Sequence, residues 1–134
     1  TIEALETFGV TTVGYKTDSF PLFYSSESKN KLQYRFNSVS GLVGTYRKNI
    51  KNQLQSSLLV LNPVPKKDEI LEEKIKNIFS NSISKMEKLG IVGNNTTPFL
   101  LNEIAKKTKN KSLETNISLA LNNIKLGAKI ALKM

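Results

Sequence analysis

Neither cysteine nor histidine occurs anywhere in this chain. Without thiols there is no disulfide framework and no thiolate metal site, and nothing argues for an oxidising compartment. Without imidazole the commonest metal ligand and the commonest general base are both gone. A hydrolytic triad or a histidine-rich metal centre built from this chain is therefore excluded. Long apolar runs are missing as well, since none approaches the roughly 18 to 20 residues of a membrane-spanning helix. The opening Thr1-Ile2-Glu3-Ala4 has neither the basic nor the apolar region of a signal peptide. A cytoplasmic location is the expectation.

What is present reads as an ordinary globular sequence. A length of 134 residues, 39% hydrophobic and 23% charged, fits one domain with one core. The net charge of +9 invites a nucleic-acid reading. Yet the lysines run from Lys16 to Lys133 and are interleaved with Glu or Asn, as in Glu72-Glu73-Lys74 and Lys85-Met86-Glu87-Lys88. That is the pattern of solvated helix faces, and no platform of interleaved Arg and aromatic residues occurs. Neither nucleic acid nor a membrane is expected as a partner.

Along the chain, residues 1–8 suit a short helix that Gly9 closes with a positive φ. Thr11-Thr12-Val13-Gly14-Tyr15 is β-branched and aromatic and predicts a strand, ended by Lys16-Thr17-Asp18-Ser19. Residues 20–28 form a loop whose Phe20, Phe23 and Tyr24 require a partner surface or a place in the core. From 39 to 54, Leu42, Val43, Tyr46, Ile50 and Leu54 recur at helical spacing, with Arg47, Lys48 and Lys51 on the other side. Ser57-Leu58-Leu59-Val60-Leu61 is continuously apolar and stops at Asn62-Pro63-Val64-Pro65, as a strand buried on both faces of a parallel sheet would. Ile70, Leu71, Ile75, Ile78, Phe79, Ile83, Met86 and Leu89 mark a long helix stopped by Gly90. Thr97 before Pro98 predicts an N-cap and a helix to about residue 107. Ser112 predicts the cap of a last helix that turns Leu113, Ile117, Leu121, Ile124 and Ala128 inward. Two strands make a small sheet for so many helices, so the chain reads as a piece of a larger layered fold.

Four segments carry a resemblance: Leu5-Glu6-Thr7-Phe8-Gly9-Val10 with Gly14-Tyr15, Asn62-Pro63-Val64-Pro65, Thr96-Thr97-Pro98-Phe99-Leu100-Leu101, and Ser112-Leu113-Glu114-Thr115-Asn116-Ile117 leading to Asn122-Asn123. In their order and spacing they resemble the pseudouridine-5'-phosphate glycosidase family, also called indigoidine synthase A-like. Two stretches depart from the family pattern: residues 28–44, and Ser56-Ser57, where relatives tend to carry a glycine pair. The resemblance implies that residues 1–134 are the C-terminal portion of a single domain. Its fold class would be α/β, part of an α/β/α layered fold with a mostly parallel central sheet and a helix-rich second half. It also implies an enzyme that reversibly cleaves the C–C glycosidic bond of pseudouridine 5'-phosphate to uracil and ribose 5-phosphate. A manganese ion, a Schiff-base lysine and homotrimeric assembly belong to that implication. The catalytic lysine, the acid and the metal ligand fall in motifs upstream of Thr1, in a missing N-terminal half. None of Lys16, Asp18 or Asp68 matches them, and this chain alone is expected to be inactive. A catalytically silent binding or assembly module of the same fold is the alternative.

Substrate contacts are what this portion could supply. Asn62 follows the second strand, where ligands of open α/β sheets sit; its amide either meets the base or closes its own turn. On the last helix Asn116, Ala120, Asn123 and Gly127 form one stripe. An amide there can pair with the imide edge of uracil, and the resemblance places a substrate-contacting asparagine at Asn116. Helix packing sealed by amide hydrogen bonds is the competing role for Asn116 and Asn123. Thr97 stands at a helix start that either binds a ligand or is simply capped.

Overall fold

The computed structural model describes residues 2–54 and 56–134, and the expected first helix loses only its Thr1 to that limit. Helix α1 (Ile2–Thr7) leads into strand β1 (Thr11–Tyr15). Strand β2 (Tyr34–Phe36), helix α2 (Val39–Lys51) and strand β3 (Leu58–Leu61) follow, and then helices α3 (Glu72–Lys88), α4 (Thr96–Lys107) and α5 (Lys111–Ala131). The three strands form a parallel sheet in the order β2-β1-β3, with Val13 opposite both Tyr34 and Val60. This bears out the α/β class and the parallel pairing of the two expected strands. The three-residue β2 is new: it is too short to show an alternation, and only its pairing with β1 makes it a strand.

Helix ends follow from the chain's local chemistry. After α1 the N–H of Val10 reaches the carbonyl of Leu5 and that of Gly9 the carbonyl of Glu6, with Gly9 at φ +68. The same paired closure ends α3 at Gly90, φ +64. Both are Schellman closures, which need a left-handed residue and suit glycine. Gln53 and Lys109 occupy the equivalent positions after α2 and α4 at φ +58 and +50. Ser38 caps α2 by accepting from Gly41 N–H at 3.1 Å.

Two expected caps are corrected. A 3-10 turn at Gly93–Asn95 runs directly into α4, so Thr97 lies inside the first helical turn and does not cap it. Ser112 is likewise inside α5; its N–H donates to Thr108 Oγ1 at 3.2 Å, and the left-handed Asn110 stands at the N-cap. With only three residues between α4 and α5, Thr108 bonds both helices and leaves no separate cap for Ser112 to fill.

The inward face of α5 is also corrected. Ser112, Thr115 and Leu126 are buried, whereas Leu113, Ile117, Leu121 and Ile124 are 50–66% exposed. The reason is the segment between β3 and α3, whose backbone has no ladder partner and must find donors elsewhere. Thr115 Oγ1 donates to the Asp68 carbonyl at 2.7 Å, Ser118 Oγ to the Asp68 carboxylate at 2.6 Å, and Asn122 Nδ2 to the Pro63 carbonyl at 2.9 Å. The polar stripe of α5 clamps that segment, and the apolar stripe is turned outward.

Of the three aromatics in the loop after β1, Phe23 is 48% exposed and Tyr24 is buried. Tyr24 packs with Ile70 and Ile104, and Phe23 meets its ring edge-on at 4.7 Å. Burial pushes the Tyr24 phenol above its ordinary pKa. Thr17, Ser19, Ser25 and Ser26 are buried with it, and among the described residues every fully buried polar side-chain atom has a partner. Glu69 fastens the loop to the start of α3, accepting from the Ser26 hydroxyl at 2.6 Å and the Ser26 N–H at 2.9 Å. Those bonds hold the Glu69 carboxyl below its ordinary 4.5. The bond from Lys85 does the same for Glu103, whose carboxylate is tucked between α3 and α4. Both carboxyls bind protons less readily folded than unfolded, so their stabilisation is complete above the ordinary carboxylate range and is lost as pH falls through the folded values. Urea midpoints should therefore hold from pH 7 to about pH 5 and fall below about pH 4. The Glu69→Gln chain should show a lower midpoint at pH 7 and a shallower acid decline; a decline as steep as the parent's would remove Glu69 from this account.

Candidate substrate site at the strand ends

The carboxyl ends of β1 and β3 open onto a cleft of about 590 Å³. At the end of β1 the chain turns sharply. Lys16 takes a left-handed backbone at φ +58, and its N–H donates to the Phe36 carbonyl at 2.8 Å. Non-glycine residues adopt that conformation at a cost of about 1 kcal/mol or more, and such positions gather where a chain serves a ligand. At the end of β3, Asn62 Nδ2 donates to Asn123 Oδ1 at 3.0 Å. Two of the expected contact residues, 61 positions apart, are thus brought together.

Charge in the cleft is uneven. Lys16, Lys31, Arg35, Lys66 and Lys129 line it with the carboxylates of Asp18 and Glu27. Asp18 is paired with Arg35, and Glu27 with Lys66 at 3.1 Å. Lys16, Lys31 and Lys129 have no carboxylate partner among the described residues. Three uncompensated ammonium groups in one cleft favour an anionic ligand. Asn62 also borders a neighbouring pocket of about 430 Å³ lined by Phe23, Leu61, Leu119 and Asn123. Asn62 thus borders both the basic chamber and the apolar one, and Asn123 the apolar one.

The other expected contacts lie apart. Asn116 is half-buried on the same side of α5 as Asn123, seven residues or roughly 10 Å along the axis. It makes no side-chain hydrogen bond among the described residues. Thr97 is exposed in the first turn of α4 and does not border the cleft. Sequence reasoning did not single out Lys16, Lys31, Lys129 or Asn122 among the residues that line the cleft. The signal for Lys16 was a lysine placed directly after the glycine-containing strand; Asn122 belonged to a quoted motif but was passed over for its neighbour. Among the described residues no three acidic, histidine or cysteine side chains come together to hold a metal ion, and no helix is long and apolar enough to cross a membrane.

A family model described as "Indigoidine synthase A like protein" matches residues 1–133. The pseudouridine-5'-phosphate glycosidase of Kosmotoga olearia is 37% identical over 134 residues, which are all of this chain and 46% of that protein. The enzyme of the same name from Petrotoga mobilis is 40% identical over 131 residues, 43% of its length. The chain therefore spans less than half the length of these curated relatives. Among solved structures, an indigoidine synthase A-like protein from Thermotoga maritima superposes with a TM-score of 0.84 at 35% identity, covering 100% of this chain and 44% of that one. A prealnumycin C-glycosynthase crystallised with ribulose 5-phosphate gives a TM-score of 0.72 at 22% identity, over 93% of this chain and 45% of that one, which is a likeness of fold.

Proposed function

Since the chain belongs to the indigoidine synthase A-like family, we propose that it is the C-terminal portion of a pseudouridine-5'-phosphate glycosidase and forms one wall of that enzyme's substrate pocket. The reaction in this reading is reversible cleavage of pseudouridine 5'-phosphate to uracil and ribose 5-phosphate. The observation that carries it is the Asn62–Asn123 amide pair, whose Asn62 lines the same cleft as Lys16, Lys31 and Lys129, none of which has a carboxylate partner among the described residues. After their mutual bond the two amides still hold free donors and acceptors, which complement the imide edge of uracil. Lys16, Lys31 and Lys129 attract the 5'-phosphate, and Asn116 extends the amide face along α5. Thr97 is given no part.

Among the described residues no cluster of three acidic, histidine or cysteine side chains forms, and this reading gives them no metal ligand. Manganese, the Schiff-base lysine and the acid belong, in this reading, to polypeptide that the relatives carry beyond the matched portion. Homotrimeric assembly and a cytoplasmic location complete the proposal. A pocket wall without its nucleophile binds but does not turn over.

The test is release of ribose 5-phosphate with manganese present. One sample is this chain alone. The other is a chimera in which the part of the Kosmotoga olearia protein left uncovered by the alignment precedes this chain. Activity is expected only in the chimera. Asn62→Ala in the chimera should lower kcat/KM about tenfold, the loss of one substrate hydrogen bond, with the melting temperature little changed. A folded but inactive chimera would favour a silent module, and activity of the chain alone would place the nucleophile within these residues.

A further inference from the structure

Two consecutive residues of α5 take hold of two consecutive residues at the end of β3. Asn62 Nδ2 donates to Asn123 Oδ1 at 3.0 Å, and Asn122 Nδ2 donates to the Pro63 carbonyl at 2.9 Å. Successive helical residues point about 100° apart, so the two amides grip the strand end from different sides. Asn122 borders the basic cleft together with Pro63, Asn123 borders the apolar pocket, and Asn62 borders both.

The two bonds are not equally secure. The one between Asn62 and Asn123 joins side chains open to water, with Asn123 exposed, and water competes for such a bond and leaves it little net strength. It does not by itself fix where Asn62 points. The bond from Asn122 is partly sheltered and ends on backbone. A carbonyl only accepts, so the nitrogen of Asn122 must face it. Pro63 passes this anchor on. Its ring fixes its own φ and confines Asn62 before it to extended backbone, while Val64 after it is 1% exposed. With the Pro63 carbonyl tied to α5, the freedom left to Asn62 is that of its side-chain torsions. Asn122 also differs from the other donors that α5 offers this segment. Among the described residues Thr115 and Ser118 tie Asp68, farther along, and neither borders the cleft or the pocket. We propose that Asn122 is a positioning residue, which holds the turn after β3 against α5 and so fixes the direction in which the free amide atoms of Asn62 face the ligand. The proposal rests on the reading of Asn62 as a substrate contact.

Two measurements test it, one of them without turnover. In the chain alone, nitrogen relaxation of the Asn62 side-chain amide should show a rigid group. Asn122→Leu, similar in size but without a donor, should lower its order parameter below about 0.6, the flexible range. Thr115→Val removes another donor from the same segment and should leave that order parameter unchanged. In the chimera, Asn122→Leu should lower kcat/KM about fivefold, and by no more than about twofold where Asn62 is already replaced by Ala. Asn122→Ala carries the same expectations if the leucine variant does not fold. An Asn62 amide that stays as rigid without Asn122, or that Thr115→Val loosens equally, overturns the proposal. So does an unchanged kcat/KM in an active chimera. A loss that adds in full to that of Asn62→Ala overturns it as well, because Asn122 would then touch the substrate itself. An inactive chimera sinks the glycosidase reading alone, since the relaxation measurement still decides whether Asn122 holds Asn62.

Discussion

Gly14→Ala should lower the melting temperature of this chain by about 10 °C or more, a loss of roughly 3 kcal/mol. A Cβ on Gly14 would stand 2.1 Å from the Thr17 carbonyl oxygen, 2.9 Å from Leu32 Cδ1 and 3.0 Å from Thr17 Cγ2. Neither side can yield. Gly14 is in register with Arg35 on one side and Leu61 on the other, so β1 is held by both neighbours. The Thr17 carbonyl is held by the left-handed turn at Lys16, by the Thr17 Oγ1 bond to the Ser19 carbonyl at 3.1 Å, and by Leu32 N–H on the Asp18 carbonyl at 2.9 Å. Gly44→Ala is the matched control. It lies mid-α2 with nothing within 4 Å of an added Cβ, and alanine there should stabilise by about 0.5–1 kcal/mol. Circular-dichroism melts of the two variants decide the matter. A Gly14→Ala melt within a degree or two of the parent would mean that the turn at the end of β1 relaxes freely, which would weaken its assignment as a fixed wall of the cleft.

Ile104→Ala should cost about 2–5 kcal/mol. Ile104 is 1% exposed and joins Tyr24 of the loop after β1 to Ile70 before α3, with Ile75 and Ile78 against the cluster. Truncation leaves a void where the three segments meet; the polar links beside it, Ile70 N–H to the Tyr24 carbonyl at 2.8 Å, Ser26 to Glu69 and Lys85 to Glu103, each join only two of them. Urea titration should show a lower midpoint at an unchanged slope. Ile124→Ala, on the outward stripe of α5 at 66% exposure, should change stability by no more than about 0.5 kcal/mol. A large loss at Ile124 that grows with protein concentration would show that this stripe is buried between copies in solution.

Elements whose cause is local were legible in the sequence. β1 and β3 follow from β-branched and apolar runs, the ends of α1 and α3 from Gly9 and Gly90, and α2 from the helical spacing of its apolar residues from 39 onward. The family followed from four motifs taken in order. Errors arose where a partner distant in sequence decided the outcome. Thr97 and Ser112 are good capping residues, but the turns before them continue into helix and leave no cap vacant. β2 exists because Phe36 and its neighbours find β1. Of the candidate contacts, Asn62 and Asn123 meet, Asn116 lies farther along α5, and Thr97 stands apart.

The last helix separates the two levels most clearly. Its sequence determined that α5 is a helix with an apolar stripe of Leu113, Ile117, Leu121 and Ile124 beside a stripe of Asn116, Ala120, Asn123 and Gly127; the polar stripe of Thr115, Ser118 and Asn122 stood out only in the structure. Hydrophobicity alone assigned the first stripe to the core. The tertiary structure reversed this, because the backbone of residues 63–68 has carbonyls and a carboxylate that require donors, and the polar stripe satisfies them. Periodicity is a property of neighbouring residues and is complete within the helix. Which stripe turns inward depends on what lies opposite, and that is known only when the segment after β3 is in place.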